Sequence, residues 1–148
     1  NFKFHNCGAY AELLSHEMVR SIKDVYRDRE FDLVTCVPMH KDTLRKRGYN
    51  QAELLAKECA RILGIEYADL LAKTKKNKTQ HSIKAAERAK NVIGVYSPID
   101  KNLIKGKRIL IIDDIITTGS TLGECARILN KCKCGEICCC TLCTSLLI

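Results

Sequence analysis

The sequence lacks two features that would assign it to a membrane or to secretion. Its longest apolar stretch, from Ile137 to Ile148, spans 12 residues and includes Thr and Ser, whereas a membrane-spanning helix needs about 20 apolar residues. The sequence also has no signal-peptide pattern. We therefore expect a cytoplasmic protein with no membrane insertion.

Two nucleotide-binding or signalling classes are excluded by what is missing. The only Gly-Lys pair, Gly106-Lys107, is followed by Arg108, so there is no loop of the P-loop NTPase type, which ends in Gly-Lys-Ser or Gly-Lys-Thr. Receiver domains also carry paired aspartates after a strand. Here only 34 residues follow Asp114, too few for the rest of that fold.

The composition is that of an ordinary globular chain with a basic balance. The chain has 148 residues, of which 46% are hydrophobic and 28% are charged, which predicts a single domain over residues 1–148. A net charge of +8 indicates an acidic partner, either a polyphosphate ligand or nucleic acid. The ten cysteines are expected to be reduced thiols, since no export signal accompanies them.

The most informative stretch begins with four consecutive aliphatic residues, Ile109 to Ile112. Such a run predicts a strand that is buried on both faces, as in the middle of a parallel sheet covered by helices. Asp113 and Asp114 follow it, and an amphipathic helix is predicted over Ser120 to Lys131. This order predicts a ligand site at the carboxyl end of a central strand.

The loop before that helix has the chemistry of a phosphate cradle. Hydroxyl groups, successive backbone N–H groups and the positive end of the helix dipole can surround an anion there. The residues concerned are Thr117, Thr118, Gly119, Ser120 and Thr121. Asp113 and Asp114 would repel a phosphate, so they suit the hydroxylated or metal-bearing part of the same ligand, and a sugar phosphate satisfies both halves. Helix capping alone would explain the loop but not the acidic pair.

Apolar periodicity predicts the remaining elements. The expected helices span 10–26 and 51–63, the latter ending at Gly64, and the expected further strands span 31–37, 68–72 and 92–96, with a last strand near 137–143. In that last strand Cys138, Cys139 and Cys140 are contiguous, so neighbours point to opposite faces. We interpret them as core residues rather than zinc ligands, which occur as pairs separated by two to four residues.

Two basic segments flank the predicted sheet. The first, 38–51, is expected to be a loop at the carboxyl end of a strand, which brings its cations to the same edge as Asp113. The second, 73–91, carries seven Lys or Arg residues against one Glu and is predicted to be a lid over an anionic ligand. A nucleic-acid-binding segment is the alternative, although no aromatic residue is interleaved for base stacking.

These segments resemble a known family. The run Ile109 to Thr121 resembles the motif by which type I phosphoribosyltransferases bind phosphoribosyl pyrophosphate (PRPP). Val37-Pro38 with Arg47-Gly48-Tyr49-Asn50-Gln51, and Thr79-Gln80 with Arg88 and Asn91-Val92, resemble the ComF (competence protein F) group of that family. The resemblance implies a doubly wound α/β fold with a mostly parallel sheet of about five strands and a reduced hood. The zinc ribbon that usually precedes this domain is expected to be absent, unless Cys7 is its remnant.

The resemblance also implies roles for individual residues. Asp113 and Asp114 would be the catalytic pair at the ribose hydroxyls, and 117–121 would hold the 5-phosphate. The implied pyrophosphate-binding residues are Pro38, Met39, His40, Arg45 and Arg47, and the implied lid residues are Lys76, Lys78, Gln80 and Arg88. Mg²⁺ would bind through PRPP, with Asp113 and Asp114 as the available protein ligands.

The implied reaction transfers a phosphoribosyl group to an unidentified nucleophilic acceptor and releases pyrophosphate. The alternative is a non-catalytic PRPP-binding or interaction protein of competence and DNA uptake. The partners expected on either hypothesis are PRPP, with competence proteins or nucleic acid as further candidates, and a homodimer is left open.

Overall fold

A computed structural model describes residues 2–76 and 90–144, with the side chains of 8–76 and 90–143. Its centre is β5 (Arg108–Ile116), whose residues Ile109, Leu110, Ile111 and Ile112 are completely buried. These residues alternate between two apolar clusters on opposite faces of the sheet. The expectation of a strand buried on both faces is therefore confirmed.

The main sheet is parallel and has four strands. They are β1 (Leu33–Cys36), β2 (Glu66–Tyr67), β5 and β6 (Glu136–Thr144), and they lie in the order β2-β1-β5-β6. The expected fold class is confirmed, with four strands instead of about five in the part of the chain that is described.

A separate antiparallel pair replaces the strands predicted at 68–72 and 92–96. It consists of β3 (Leu71–Lys73) and β4 (Tyr96–Pro98), with Ala72 opposite Ser97. Val92 and Val95 are buried against the core, but neither is in a strand, because Val92 ends a short helical stretch and Val95 lies in the bend before β4. Burial of apolar side chains without strand pairing explains why their pattern predicts a strand that does not form there.

Helices cover both faces of the sheet. One face packs against α1 (Phe2–Tyr26) and α3 (Gln51–Leu63), and the other packs against α5 (Ser120–Lys131) and the turn before β4. A short helix, α4 (Lys101–Ile104), leads into β5. Among the described residues, no helix is both long enough and apolar enough to cross a membrane.

The segment after β1 is not the loop that its charge suggested. Residues Lys41–Arg47 form a helix, α2, whose first turn is capped by the His40 side chain and whose last turn ends at Gly48 with φ 88°. Both ends of this helix therefore have capping residues, and the cations between them lie on a solvated helix surface.

The acidic pair also lies inside a strand rather than beyond its end. β5 continues to Ile116 because β6 pairs with it as far as Ile115 opposite Cys143 and Ile116 opposite Thr144. On its other side β1 pairs only as far as Ile112. Asp113 and Asp114 therefore lie where β5 extends past β1, which leaves space beside them.

Candidate functional site

A cleft of about 300 Å³ occupies this space at the carboxyl ends of β1 and β5. Asp113, Asp114 and Thr121 line it from β5 and α5, and further residues line it from the β1–α3 region and from the antiparallel pair. These further residues are Val37, Pro38, Met39, His40, Thr43, Arg47, Asn50, Lys73 and Tyr96. The cleft thus brings carboxylates, cations and hydroxyl groups together.

The two aspartates differ in their surroundings. Asp113 is buried, with 8% of its surface exposed, whereas Asp114 is partly exposed. The backbone N–H of Asp114 donates to Asp113 Oδ1 at 2.9 Å, and that of Ile115 donates to Asp114 Oδ1 at 2.9 Å. Burial raises the pKa of the Asp113 carboxyl well above its ordinary value, and the carboxyl of Asp114 adds to this increase. An incoming hydroxyl group or cation would favour the ionised form.

The predicted phosphate cradle forms the turn between β5 and α5. Gly119 adopts a left-handed conformation with φ 76°, and α5 begins without a side-chain cap. The Thr118 and Ser120 hydroxyl oxygens lie 2.7 Å apart. Thr117 and Thr118 are exposed, Gly119 and Ser120 are partly exposed, and Thr121 reaches the cleft wall. Apart from the Ser120 N–H, which donates to Thr118 Oγ1 at 3.4 Å, the first amides of this 12-residue helix therefore open towards solvent beside the acidic pair.

The predicted pyrophosphate residues are only partly brought together. Pro38, Met39, His40 and Arg47 line the cleft, whereas Arg45 is exposed on α2 and is not among the described residues that line it. The backbone N–H of Asp42 donates to His40 Nδ1 at 3.2 Å. The neutral imidazole consequently carries its proton on Nε2, which is a hydrogen-bond donor.

Lys73 and Tyr96 are site residues that the sequence-based prediction did not include. They face each other across β3 and β4, and Lys73 Nζ lies 5.6 Å from the centre of the Tyr96 ring. Burial lowers the pKa of Lys73 and raises the pKa of Tyr96, whose side chain is hydrogen-bonded by Thr121. Lys73 is the first residue of the basic segment, so its charge is evident from sequence, but no local pattern indicates that it faces Asp113.

Asn50 shapes the cleft wall by capping α3. Its side-chain Nδ2 donates to the Val37 carbonyl oxygen at 3.1 Å, and its Oδ1 accepts from the Ala52 backbone N–H at 3.1 Å. Asn50 is thereby fully engaged at the junction of β1 and α3. It belongs to the Arg47 to Gln51 motif, and the structure assigns it these positioning contacts.

Of the predicted lid residues, only Lys76 is among those described. Lys76 Nζ pairs with Asp42 Oδ2 at 2.6 Å, which connects the beginning of the 73–91 segment to the start of α2. Lys78, Gln80 and Arg88 lie outside the described residues.

A second cleft of about 510 Å³ adjoins the first and shares Pro38, Met39, His40, Asn50 and Lys73 with it. It extends towards β2, away from β5. Its carboxylates are engaged within the protein, because Glu53 pairs with Lys57 at 2.5 Å and Asp69 accepts from the Tyr67 hydroxyl at 2.6 Å.

Cys138, Cys139 and Cys140 of β6 pack against the core, as predicted, whereas Cys143 near the end of the same strand is exposed. Cys139 packs on one face of the sheet, and Cys138 and Cys140 pack on the other. Burial raises the pKa of the Cys139 thiol to about 11. Within residues 2–76 and 90–144, no three His, Cys, Asp or Glu side chains gather as a metal site.

Sequence relatives of the chain carry competence and DNA-utilization names. Competence protein F of Haemophilus influenzae is 32% identical over 92% of this chain and 62% of its own length. DNA utilization protein YhgH of Escherichia coli is 30% identical over 68% of this chain and 44% of its own length. Competence protein ComFC of Streptococcus pneumoniae is 30% identical over 82% of this chain and 49% of its own length. The chain thus spans 44% to 62% of the length of these relatives.

The family model described as "Phosphoribosyl transferase domain" matches residues 50–146. Among solved structures, the allosteric regulatory enzyme of purine biosynthesis is similar with a TM-score of 0.59 and 22% identity, over 89% of this chain and 25% of that chain. An adenine phosphoribosyltransferase is similar with a TM-score of 0.55 and 18% identity, over 95% of this chain and 72% of that chain. At these identities the likeness establishes the fold alone.

Proposed function

The chain belongs to the phosphoribosyltransferase family, as a member of its competence protein F group, and from this premise we propose that the cleft binds PRPP and that the protein transfers the phosphoribosyl group to a nucleophilic acceptor. Pyrophosphate is the other product. The finding that carries this proposal is the presence of both charge signs in one cleft, which Asp113 and Asp114 line together with Arg47 and Lys73.

Each part of PRPP has a chemically suitable partner in this arrangement. The open amides before α5 suit the 5-phosphate, and the acidic pair suits the ribose hydroxyls, which are hydrogen-bond donors. Arg47, Lys73 and His40 suit the pyrophosphate, because charge-assisted hydrogen bonds to phosphate oxygens are strong. We assign binding of the 5-phosphate to residues 117–121. We assign backbone contacts with the pyrophosphate to Pro38 and Met39.

Mg²⁺ fits the same residues. It is usually held by one or two carboxylates together with phosphate oxygens, which is what Asp113 and Asp114 beside a pyrophosphate would supply. When bound, it would neutralise charge on the leaving pyrophosphate. Asp113 and Asp114 would also stabilise the positive charge that develops on the ribose as the bond to pyrophosphate breaks.

The order of the strands indicates from which side the acceptor approaches. With ribose over β5 and pyrophosphate over β1, an in-line displacement requires the acceptor on the β6 side. Ile115 is 48% exposed and pairs with Cys143 of β6, in the part of β5 that extends past its pairing with β1. We therefore propose that Ile115 forms part of the acceptor surface and that a ring-bearing acceptor would pack on it.

The second candidate function is a non-catalytic PRPP-binding protein of competence or DNA uptake. The names of the relatives, competence protein F and DNA utilization protein YhgH, favour it. The cleft is compatible with both candidates, since binding PRPP does not require turnover.

Isothermal titration with PRPP, with and without Mg²⁺, tests the shared part of the two candidates. We expect binding by the parent chain and none by the Asp113→Asn/Asp114→Asn double variant, which should remain folded. Equal binding by the double variant would show that the site assignment is wrong.

A pyrophosphate-release assay over a panel of amines and nucleobases then separates the two candidates. Release by the parent that the double variant lacks would establish a transferase. Binding without release for any acceptor would favour the non-catalytic function.

We also propose that the protein is located in the cytoplasm. The nine cysteines described are free thiols, which suits a reducing cytoplasm. We further propose that residues 1–148 form one domain.

A further inference from the structure

A cavity of about 470 Å³ lies at the amino ends of the strands, at the end of the sheet opposite the cleft. Arg108, the first residue of β5, forms part of its wall, and Asp113 is five residues further along the same strand. At about 3.3 Å per residue, roughly 17 Å separate these residues. We call this cavity the basal pocket, and it is separate from the PRPP cleft.

The floor of the basal pocket is apolar and aromatic. Ile22, Leu63 and Ile65 contribute aliphatic surface, and the rings of Tyr26 and Phe31 meet edge to face with centres 5.9 Å apart. The Tyr26 hydroxyl donates to the carbonyl oxygen of residue 139 at 2.8 Å, which fixes the position of its ring. A preformed floor of this kind suits a flat ring system.

Two of the four cations around the pocket are already engaged. Arg108 makes two hydrogen bonds to the Asp32 carboxylate, at 2.8 and 3.0 Å, and a further one to Glu30 at 3.0 Å. Arg29 pairs with Glu136. These two guanidinium groups therefore hold the pocket wall in place. Their charges are balanced by neighbouring carboxylates, so they attract a ligand only weakly.

The other two cations have no acidic partner among the residues that the structure describes. Lys23 lies in the last turn of α1 and Arg27 directly follows that helix, and neither pairs with a carboxylate in residues 2–76 or 90–144. Arg27 Nε donates only to the Asp24 carbonyl oxygen, at 3.3 Å. Next to an aromatic floor, two unpaired cations form a site for an anion that carries an apolar group.

We propose that the basal pocket binds an aromatic anion, which is a flat ring bearing one carboxylate, sulfonate or phosphate group. The ring would lie against Tyr26 and Phe31, and the anionic group would contact Lys23 and Arg27. Cations also stabilise the carboxyl end of a helix without any ligand. A direct binding measurement separates that structural role from the proposed one.

The test is a titration of the ¹⁵N-labelled chain with naphthalene-2-sulfonate, followed by amide chemical shifts. Naphthalen-2-ylmethanol and methanesulfonate serve as probes of the ring alone and of the anion alone. We expect saturable shifts in 22–31 and 63–65, with each half-probe binding at least tenfold more weakly. Shifts confined to the turn around Gly119, or none at all, would overturn the proposal.

Variants identify the cations. Lys23→Gln combined with Arg27→Gln should weaken binding of naphthalene-2-sulfonate at least tenfold, while Arg20→Gln, an exposed position on α1 outside the pocket, should change it less than twofold. An equal loss in both variants would indicate general charge attraction and would refute the site. Because all three side chains are exposed, the variants should fold like the parent.

Discussion

At the scale of single residues, the buried aspartate of the cleft, Asp113, opposes the stability of the fold. Asp113 is buried at the carboxyl edge of the sheet, and burial raises its pKa. A group whose pKa is raised by folding contributes stability that is present in acid and is lost as the pH rises through the folded-state pKa. The ionised carboxylate therefore destabilises the ligand-free protein at neutral pH, which is the condition in which it would bind PRPP.

Asp113→Asn should consequently make the protein more stable and unable to bind PRPP. We expect the free energy of unfolding at pH 8 to rise by about 1 kcal/mol or more, since one pKa unit corresponds to about 1.4 kcal/mol. The gain should disappear as the pH falls towards about 4, near the ordinary pKa of an aspartate. Urea unfolding at several pH values measures this, with exposed Asp28→Asn as the control. A variant less stable than the parent at pH 8 would contradict the argument.

Lys73 also carries a charge that costs stability in the ligand-free protein, and this charge is positive. Burial lowers its pKa, so its ammonium group costs stability until an anion accompanies it. Lys73→Met should leave stability unchanged or higher and weaken PRPP binding about tenfold, which is the effect of removing one charge-assisted hydrogen bond. Isothermal titration measures the affinity. Lys105→Met, at an exposed position outside both the cleft and the basic segment, should stay within twofold of the parent.

At the scale of elements, the sequence predicts the helices that carry clear terminal signals. The helices over 51–63 and 120–131 are predicted to the residue, because apolar periodicity and flanking Asn50, Gly64 and Gly119 define their ends. The helix α2 is not predicted, although His40 and Gly48 are capping residues. Its seven residues bury no side chain and show no apolar period.

The antiparallel pair could not be predicted from local pattern. β3 and β4 have three residues each and pair across 22 intervening residues, so neither strand is long enough to show an alternation of its own. The positions of Lys73 and Tyr96 in the cleft follow only from that pairing. The acidic pair and the cradle, by contrast, are contiguous in sequence and can be identified from it.

The turn before α5 depends on one conformation at Gly119. With φ at 76°, Gly119→Ala should destabilise the protein by about 1–2 kcal/mol and misalign the amides that would hold the 5-phosphate. Gly123→Ala, in the body of the same helix where an added methyl meets nothing within 4 Å, should stabilise it by about 0.5–1 kcal/mol. Thermal unfolding and PRPP titration of both variants check this. Equal PRPP affinities would show that the turn does not form the phosphate site.

The β6 strand is part of the main sheet. The thiols of Cys138 to Cys140 in this strand should be protected from alkylation. Raising the pKa of Cys139 from 9.0 to about 11 lowers its thiolate fraction about a hundredfold near neutral pH. In the folded protein at mildly alkaline pH, we expect iodoacetamide to modify exposed Cys143 much faster than Cys139. Peptide mass spectrometry at timed intervals measures both. Equal rates, or stoichiometric zinc that disappears when Cys138 to Cys140 are replaced, would contradict the core assignment.

At the scale of the whole molecule, the cations behind the net charge of +8 include two groups that differ in position. Arg47 and Lys73 line the cleft, whereas Arg45 and Lys46 are exposed on α2 outside it. Cations in a shaped cleft opposite carboxylates select one small ligand. Cations on an open helix surface instead attract any polyanion, and the attraction weakens as salt replaces the released counterions.

The two groups of cations should therefore be separable by mutation. Arg45→Gln with Lys46→Gln should weaken binding of a single-stranded oligonucleotide and reduce the slope of log affinity against log salt by about 1.4, because each cation that neutralises a phosphate of a single strand accounts for about 0.7 of that slope. PRPP affinity with Mg²⁺ should remain within twofold of the parent. Fluorescence anisotropy at three salt concentrations measures the first effect, and isothermal titration measures the second. A parallel decrease in both affinities would mean that Arg45 or Lys46 contributes directly to the PRPP site, because a ligand enclosed by the cleft alone would not respond to charges on its outer surface.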